Sequence, residues 1–131
     1  MRPALFRPWR ENARVEERRV DAGELAVHAI PADNVLTVAV AGRTTVDSSP
    51  HLRSVLLELL RRTTAPIVAI DLSDLSYLDI SGIATLLEAL KAAHERSVKL
   101  RLAGMTGQVR ALAEIAQLDT IFRAWGSEVE S

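Results

Sequence analysis

The feature that constrains this chain most is its alternation of short β-prone runs with segments whose apolar residues recur every three or four positions. The run IVAIDL, residues 67–72, is almost continuously apolar, which is typical of a central parallel strand. Residues 71–90 then lead through a polar corner into a predicted helix. Its apolar side carries Ile83, Leu86, Leu87, Leu90 and Ala93. A strand, a corner and an amphipathic helix in this order are half of a parallel crossover unit.

The rest of the chain repeats this pattern. Strands are predicted over residues 24–30, 35–41, 67–72 and 98–103, with IFRAW at 121–125 as a short last strand. The turn-favouring PADN between the first two strands predicts a hairpin. A first helix is predicted to begin at a cap at Ser49 followed by Pro50. A second helix is predicted directly after the polar corner, and a third over residues 106–117. The fold class is therefore α/β: a mixed, mostly parallel sheet of about five strands with an N-terminal hairpin and about three to four helices.

Length and charge suggest one domain with extensions. The chain has 131 residues, which is enough to bury a core without cross-links, and it has no cysteine. Residues 1–19 hold six arginines against three glutamates and are predicted to form a partly disordered extension. Residues 20–126 are predicted to form the domain, and 127–131 a polar tail. No stretch is apolar enough for a membrane span or a signal peptide, which predicts a cytoplasmic protein.

Several kinds of site are excluded by what the sequence lacks. None of the six glycines is grouped as GxGxxG or GxxxxGK, so no nucleotide loop and no cofactor are predicted. His28, His51 and His94 lie far apart in the sequence, without HExxH-like spacing, so no metal site is predicted either. Aromatic residues make up 4% of the chain and residues 20–131 are mildly acidic, which argues against direct binding of nucleic acid.

The polar corner contains Asp79, Ile80, Ser81 and Gly82, and three interpretations compete for it. Asp79 or Ser81 can cap the helix that follows. Ser81 could be the nucleophile of a small hydrolase, although the flanking residues do not match the GxSxG elbow and no catalytic residue is predicted. The third interpretation is a docking surface. Gly82 favours it, because a glycine that opens a helix of good formers indicates the close approach of another backbone or a partner.

Three segments together resemble the STAS domain of bacterial anti-sigma factor antagonists. They are LTVAVAGRTTVDSSPHLRSVLLELL, VAIDLSDLSYLDISGIATLLEAL and VKLRLAGMTGQVRALAEIAQLDTIFRAW, and the resemblance covers about residues 24–125. Its most specific part is a strand ending in DLS, the spacing to Asp79, and then Ser81, Gly82 and an apolar helix. The resemblance implies a non-enzymatic interaction module in a partner-switching circuit, which binds an anti-sigma factor that is also a serine kinase with an ATP-binding fold. Whether the domain forms a homodimer is left open by the resemblance.

The resemblance also implies a switch, and here this chain departs from the family. Phosphorylation in the family falls on the hydroxyl residue directly after the aspartate, and that position is Ile80. Either Ser81 is modified instead, or the partner is bound without this control, or the domain serves another assembly such as a lipid-trafficking ATP-binding cassette transporter. The loop GRTTVDSSP should lie beside the corner, because both follow parallel strands at their carboxyl ends. Its further contact candidates are Arg43, Thr45, Asp47 and Ser48.

Overall fold

The computed structural model describes residues 24–130, which form six strands and four helices. The strands are β1 (Leu25–Pro31), β2 (Val35–Arg43), β3 (Ile67–Asp71), β4 (Leu75–Tyr77), β5 (Lys99–Ala103) and β6 (Glu128–Val129). The helices are α1 (Ser49–Arg62), α2 (Ile80–Glu95), α3 (Gly107–Ile115) and α4 (Leu118–Ala124). The predicted α/β class, with its opening hairpin, is confirmed.

The sheet is mixed and mostly parallel, as predicted. Its strand order is β1-β2-β3-β5-β6, and β4 pairs with the end of β2. β1 and β2 form the antiparallel hairpin, whereas β2, β3, β5 and β6 run parallel to one another. The carboxyl ends of β2, β3 and β5 therefore meet at one edge of the sheet, and the amino end of β1 lies at that same edge.

The core lies on one face of this sheet. Alternate residues of each central strand are buried, which is the period-two pattern of a sheet with one covered face. The apolar stripe of α1 is buried against it, namely Leu52, Val55, Leu56, Leu59 and Leu60. Ile83, Leu86, Leu90 and Ala93 of α2 are buried as well, and α1 packs directly on α2. The packing of α2 on the sheet and on α1 thus holds the start of α2 in a fixed position above the sheet edge.

A surface ion pair joins the two packed helices. Arg53 of α1 donates from Nε and Nη2 to the two carboxylate oxygens of Glu88 of α2, at 2.7 and 2.6 Å. This two-pronged hydrogen bond lowers the pKa of the Glu88 carboxyl below its ordinary value. The pair is open to solvent, so its contribution to stability is small.

The third strand is interrupted in a way that builds the corner. β3 ends at Asp71, the chain turns through residues 72–74, and β4 resumes beside Gly42 and Arg43 at the end of β2. Gly42 makes this possible, since its backbone has a positive φ of 106° and an added Cβ would overlap the carbonyl oxygen of Glu24. The Gly42 amide donates to the Asp74 carbonyl at 3.1 Å. β4 is not among the predicted strands.

Two predictions about the carboxyl-terminal part are wrong. IFRAW is not a strand: residues 121–124 belong to α4, in which Leu118 and Phe122 are buried one helical turn apart. Part of the predicted polar tail is instead the last strand, because Glu128 and Val129 pair with Arg101 and Leu102 of β5. The predicted extension at residues 1–19 lies outside the described residues.

Candidate functional site

Asp79 caps helix α2 and connects the residues of the corner. Its backbone is extended, and its Oδ1 accepts a hydrogen bond from the Gly82 amide at 2.9 Å and from the Ser81 hydroxyl at 2.7 Å. A cap of this kind contributes about 0.5–2 kcal/mol to stability. The carboxylate also lies at the positive end of the helix dipole. The predicted capping role of Asp79 is therefore confirmed, and it holds the first turn of α2 in one geometry.

Thr44 fixes this cap to the neighbouring strand, and sequence reasoning missed it. Its side chain is fully buried, and its hydroxyl accepts a hydrogen bond from the Asp79 amide at 3.1 Å and donates to Asp79 Oδ1 at 3.2 Å. The Thr44 amide donates to the Tyr77 carbonyl at 2.9 Å. The loop after β2 and the corner before α2 are thus joined, as the parallel topology predicts.

Gly82 has a different explanation from the predicted partner contact. The residue is buried, and an added Cβ would overlap Thr44 Oγ1 and lie 2.7 Å from Leu78 Cδ1. The side chain that approaches Gly82 belongs to the protein's own loop. Gly82 is needed so that Thr44 can reach Asp79, and its contribution to any docking surface is indirect.

Ser48 is also an internal support. Its side chain is buried, accepts a hydrogen bond from the Thr45 amide at 2.9 Å and donates to the Arg43 carbonyl at 2.9 Å. It stands directly before α1, so the predicted cap at Ser49 is displaced by one residue and Pro50 is the second helical position. A partner that binds this edge would not touch the Ser48 side chain, because a turn of the loop covers it.

Two apolar side chains point outward from this rigid base. Ile80, the first residue of α2, is 69% exposed, and Val46 in the loop after β2 is 73% exposed. Each lies within two residues of the bonded pair Thr44 and Asp79. Apolar side chains on a fixed backbone lose little conformational freedom on binding, and they gain free energy when a partner removes their area from water. Together with their polar neighbours they form what we call the docking corner: residues 43–47 and 79–81.

The polar members of the docking corner are distributed around these anchors. Arg43 is exposed, and its guanidinium lies 4.6 Å from the centre of the Tyr77 ring, which restrains it. Asp47 is exposed. The Thr45 hydroxyl is half-buried and donates to Glu24 Oε1 at 2.9 Å. The corner therefore offers apolar, anionic and cationic groups within one small area.

Gln108 of α3 supports the corner from the other side. Its side-chain Oε1 accepts a hydrogen bond from the Leu78 amide at 2.9 Å, and its Nε2 donates to the Leu78 carbonyl at 2.7 Å. One side-chain amide thus replaces the strand neighbour that this backbone lacks. Leu78 itself is buried. No local sequence signal distinguishes Gln108 from any surface glutamine.

The chemistry of the corner fits binding better than catalysis. A serine nucleophile needs a base that takes its proton, usually a histidine. The Ser81 hydroxyl donates instead to Asp79 Oδ1, which is already occupied by the helix amide and by Thr44. Within residues 24–130, no group of three or more histidine and acidic side chains is placed to hold a metal ion. None of the helices in this part of the chain is long and apolar enough to cross a membrane.

The fold and site together define a small α/β domain that presents a rigid, partly apolar corner at one sheet edge. A family model described as "Mlab, STAS domain" matches residues 28–123. The chain therefore belongs to the STAS domain family, as its resemblance implied.

Known relatives and solved structures agree. An anti-sigma-B factor antagonist of Staphylococcus epidermidis is 28% identical over 107 residues, which cover 81% of this chain and 98% of the relative. An anti-sigma factor antagonist from Mycobacterium paratuberculosis has a similar structure, with a TM-score of 0.69 at 19% identity, covering 76% of this chain and 83% of that one. The Bacillus protein SpoIIAA in its phosphorylated form gives a TM-score of 0.59 at 11% identity, covering 81% and 91%. The homologues of this chain are anti-sigma factor antagonists.

Proposed function

We propose that this protein is a non-enzymatic interaction module of the anti-sigma factor antagonist type, which binds an anti-sigma factor through the docking corner. The observation that carries the proposal is Ile80, which is 69% exposed at the start of a helix whose backbone is fixed by Asp79 and Thr44. Its exposed side chain can bury apolar area against a partner without any rearrangement of the helix start. A sigma factor circuit operates on transcription, so we place this function in the cytoplasm.

We further propose that the partner is an anti-sigma factor with the ATP-binding fold of a serine kinase. The docking corner that this partner would bind lacks the phosphate acceptor of the family. Ile80 occupies the position directly after Asp79, and isoleucine has no hydroxyl. Ile80 itself therefore cannot switch the binding, and any control by phosphorylation must act through another residue. An isoleucine contributes apolar burial in the complex, at about 25 cal/mol per Å² of area removed from water.

Ser81 is the candidate site for any control by phosphorylation. Its hydroxyl is half-buried and bonded to Asp79 Oδ1 at 2.7 Å. A phosphate there would add about 1.5 to 2 negative charges beside the Asp79 carboxylate and end this hydrogen bond. The helix amino terminus tolerates such a charge, but a partner packed on Ile80 would be repelled. Phosphorylation would thus release the partner while the domain stays folded.

The test of the partner is a pull-down from the native host with the full chain as bait, followed by binding of the purified candidate. The proposal predicts recovery of a kinase-like anti-sigma factor and loss of that recovery with Ile80→Arg. The matched control is Ile115→Arg, since Ile115 is 78% exposed on a different helix. Equal recovery of the same protein by the two variants would show that the corner is not the binding surface.

The test of the switch is direct. The protein is incubated with the recovered kinase and ATP, and the phosphate is mapped by mass spectrometry. The proposal for Ser81 expects label on Ser81 that is absent from Ser81→Ala. Label elsewhere, or none, removes Ser81 as the switch and leaves constitutive binding through Ile80.

A second candidate is a STAS subunit of a lipid-trafficking ATP-binding cassette transporter. One observation favours it: Ile80 stands where the switching type has its phosphate acceptor, and isoleucine cannot be phosphorylated. The same pull-down separates the candidates, because this one predicts recovery of a transporter ATPase.

A further inference from the structure

The chain enters the domain at the rim of the docking corner. The Glu24 carbonyl accepts a hydrogen bond from the Arg43 amide at 2.6 Å, and its carboxylate accepts one from the Thr45 hydroxyl at 2.9 Å. Arg43 is the last residue of β2, and Thr45 belongs to the loop that carries Val46. Glu24, to which the preceding 23 residues are joined, therefore lies beside the loop that carries Val46.

The edge of the sheet around this point is strongly acidic. Glu24, Asp47, Asp71, Asp74 and Asp79 all lie at or next to strand ends and loops of this edge, together with Arg43; the Glu24 and Asp79 carboxylates also accept hydrogen bonds within the domain. Opposite charges attract more strongly at short range and low salt, so this edge favours a basic segment. The two exposed apolar side chains Val46 and Ile80 lie within the same area.

The first ten residues of the chain, MRPALFRPWR, have the complementary chemistry. They hold three arginines and no acidic residue, and they include Leu5, Phe6 and Trp9. Two of the five aromatic residues of the whole chain fall in this stretch. Aromatic and arginine side chains are the residue types that dominate binding energy at protein interfaces.

The tether is long enough to bring the two together. Trp9 and Glu24 are fifteen positions apart in the sequence. A flexible chain of that length has an end-to-end distance of about 20 Å, and the fully extended chain reaches about 50 Å. A short tether of this kind gives a local concentration of the order of 1 mM.

We propose that residues 1–10 bind the docking corner of their own chain, with the aromatic residues against Val46 and Ile80 and the arginines against the acidic edge. The segment competes with the external partner for this surface. With an intrinsic Kd of about 0.1 mM, a local concentration of about 1 mM would occupy the corner about 90% of the time and weaken partner binding about tenfold. The competition rests on the proposed function, whereas the intramolecular contact does not.

The contact can be measured without any partner. The chain has no cysteine, so Ala4→Cys accepts a single spin label, and amide signals of the full chain report its proximity by paramagnetic broadening. We expect broadening at Val46 and Ile80 but not at Asn34, which lies in the turn at the opposite end of β2. Absence of broadening at the corner overturns the proposal. Broadening that appears only between labelled and unlabelled molecules in a mixture also overturns it, because the occupant is then a second copy.

Charge variants show whether the contact is specific. The triple variant Arg2→Glu, Arg7→Glu, Arg10→Glu should lose the broadening. The triple variant Arg14→Glu, Arg18→Glu, Arg19→Glu changes the net charge equally outside the segment and should keep it. Equal loss in both variants would mean general attraction to an acidic domain and would contradict the proposal.

Partner affinity then tests the competition. The first triple variant should bind the recovered partner about tenfold more tightly than the parent, while the second should not. An unchanged affinity of the first variant would overturn the competition even where the broadening is seen. If no partner binds at the corner in any variant, the proposed function fails, and the broadening still decides whether the intramolecular contact exists.

Discussion

Replacing Gly82 with alanine tests the internal construction of the corner. An added Cβ overlaps Thr44 Oγ1 and lies 2.9 Å from Thr44 Cβ and 2.7 Å from Leu78 Cδ1. Both neighbours are buried, at 0% and 1% exposure, and cannot swing into solvent. Gly82→Ala must therefore displace Thr44 and weaken its hydrogen bonds to Asp79.

The sign of the effect follows from comparing its parts. Overpacking of a buried site costs about 1–3 kcal/mol. Each lost hydrogen bond between Thr44 and Asp79 adds about 0.5–1.5 kcal/mol, and alanine recovers at most about 1 kcal/mol through its helix propensity. We expect the free energy of unfolding to fall by about 1–4 kcal/mol, which lowers Tm by about 4 °C per kcal/mol.

Urea unfolding of four proteins checks this reasoning: the parent, Gly82→Ala, Thr44→Ala and the double variant. Thr44→Ala removes the oxygen that the new Cβ would overlap, so the alanine at 82 should be better tolerated in that background. If Gly82→Ala is as stable as the parent, helix propensity outweighs the contact and the account of Gly82 is refuted. An equal loss in both backgrounds would refute the role of Thr44.

Three further changes test other parts of the structure. Gln108→Ala removes the partners of the Leu78 amide and carbonyl, and should lower the free energy of unfolding by about 1–3 kcal/mol in urea; an unchanged midpoint would contradict its supporting role. Asp79→Ala should cost about 0.5–2 kcal/mol and Asp79→Asn less, because asparagine keeps the acceptor; circular dichroism melts that show no loss for Asp79→Ala would contradict the role of the cap in stability. Glu88 has a lowered pKa in the folded state, so its pair with Arg53 stabilises above the ordinary glutamate pKa of about 4.3 and is lost as the pH falls below it. The Tm difference between the parent and Glu88→Gln should therefore be present at pH 7 and vanish in acid, and a difference that grows in acid would refute the assignment.

The strongly periodic parts of the sequence were sufficient for the fold. The stripe from Leu52 to Leu60 and the apolar run at 67–72 each carry enough residues to separate a helix from a strand, and the structure confirms both. The strand prediction for IFRAW was wrong because five residues are too few to distinguish the period of a strand from that of a helix. Phe122 could be read as part of a strand, but its spacing of four from Leu118 places both side chains in the core of a helix.

The candidate site was predictable only where the chemistry is local. Asp79 precedes an apolar helix, so its capping role follows from neighbours in the sequence. Thr44 and Gln108 bind the corner across 35 and 30 positions of the chain, and nothing next to them in the sequence indicates these contacts. The burial of Ser48 and Gly82 depends on the same long-range packing, which is why both were predicted as partner contacts.

The central claim is that the exposed first residue of α2 binds the partner, and one binding measurement tests it. The affinity of the recovered anti-sigma factor is compared for the parent, Ile80→Arg and Ile115→Arg, with urea midpoints as a check on folding. The account predicts that Ile80→Arg weakens binding at least about tenfold, that is by about 1.4 kcal/mol, while Ile115→Arg binds like the parent and both variants stay folded. Unchanged affinity for Ile80→Arg would contradict it.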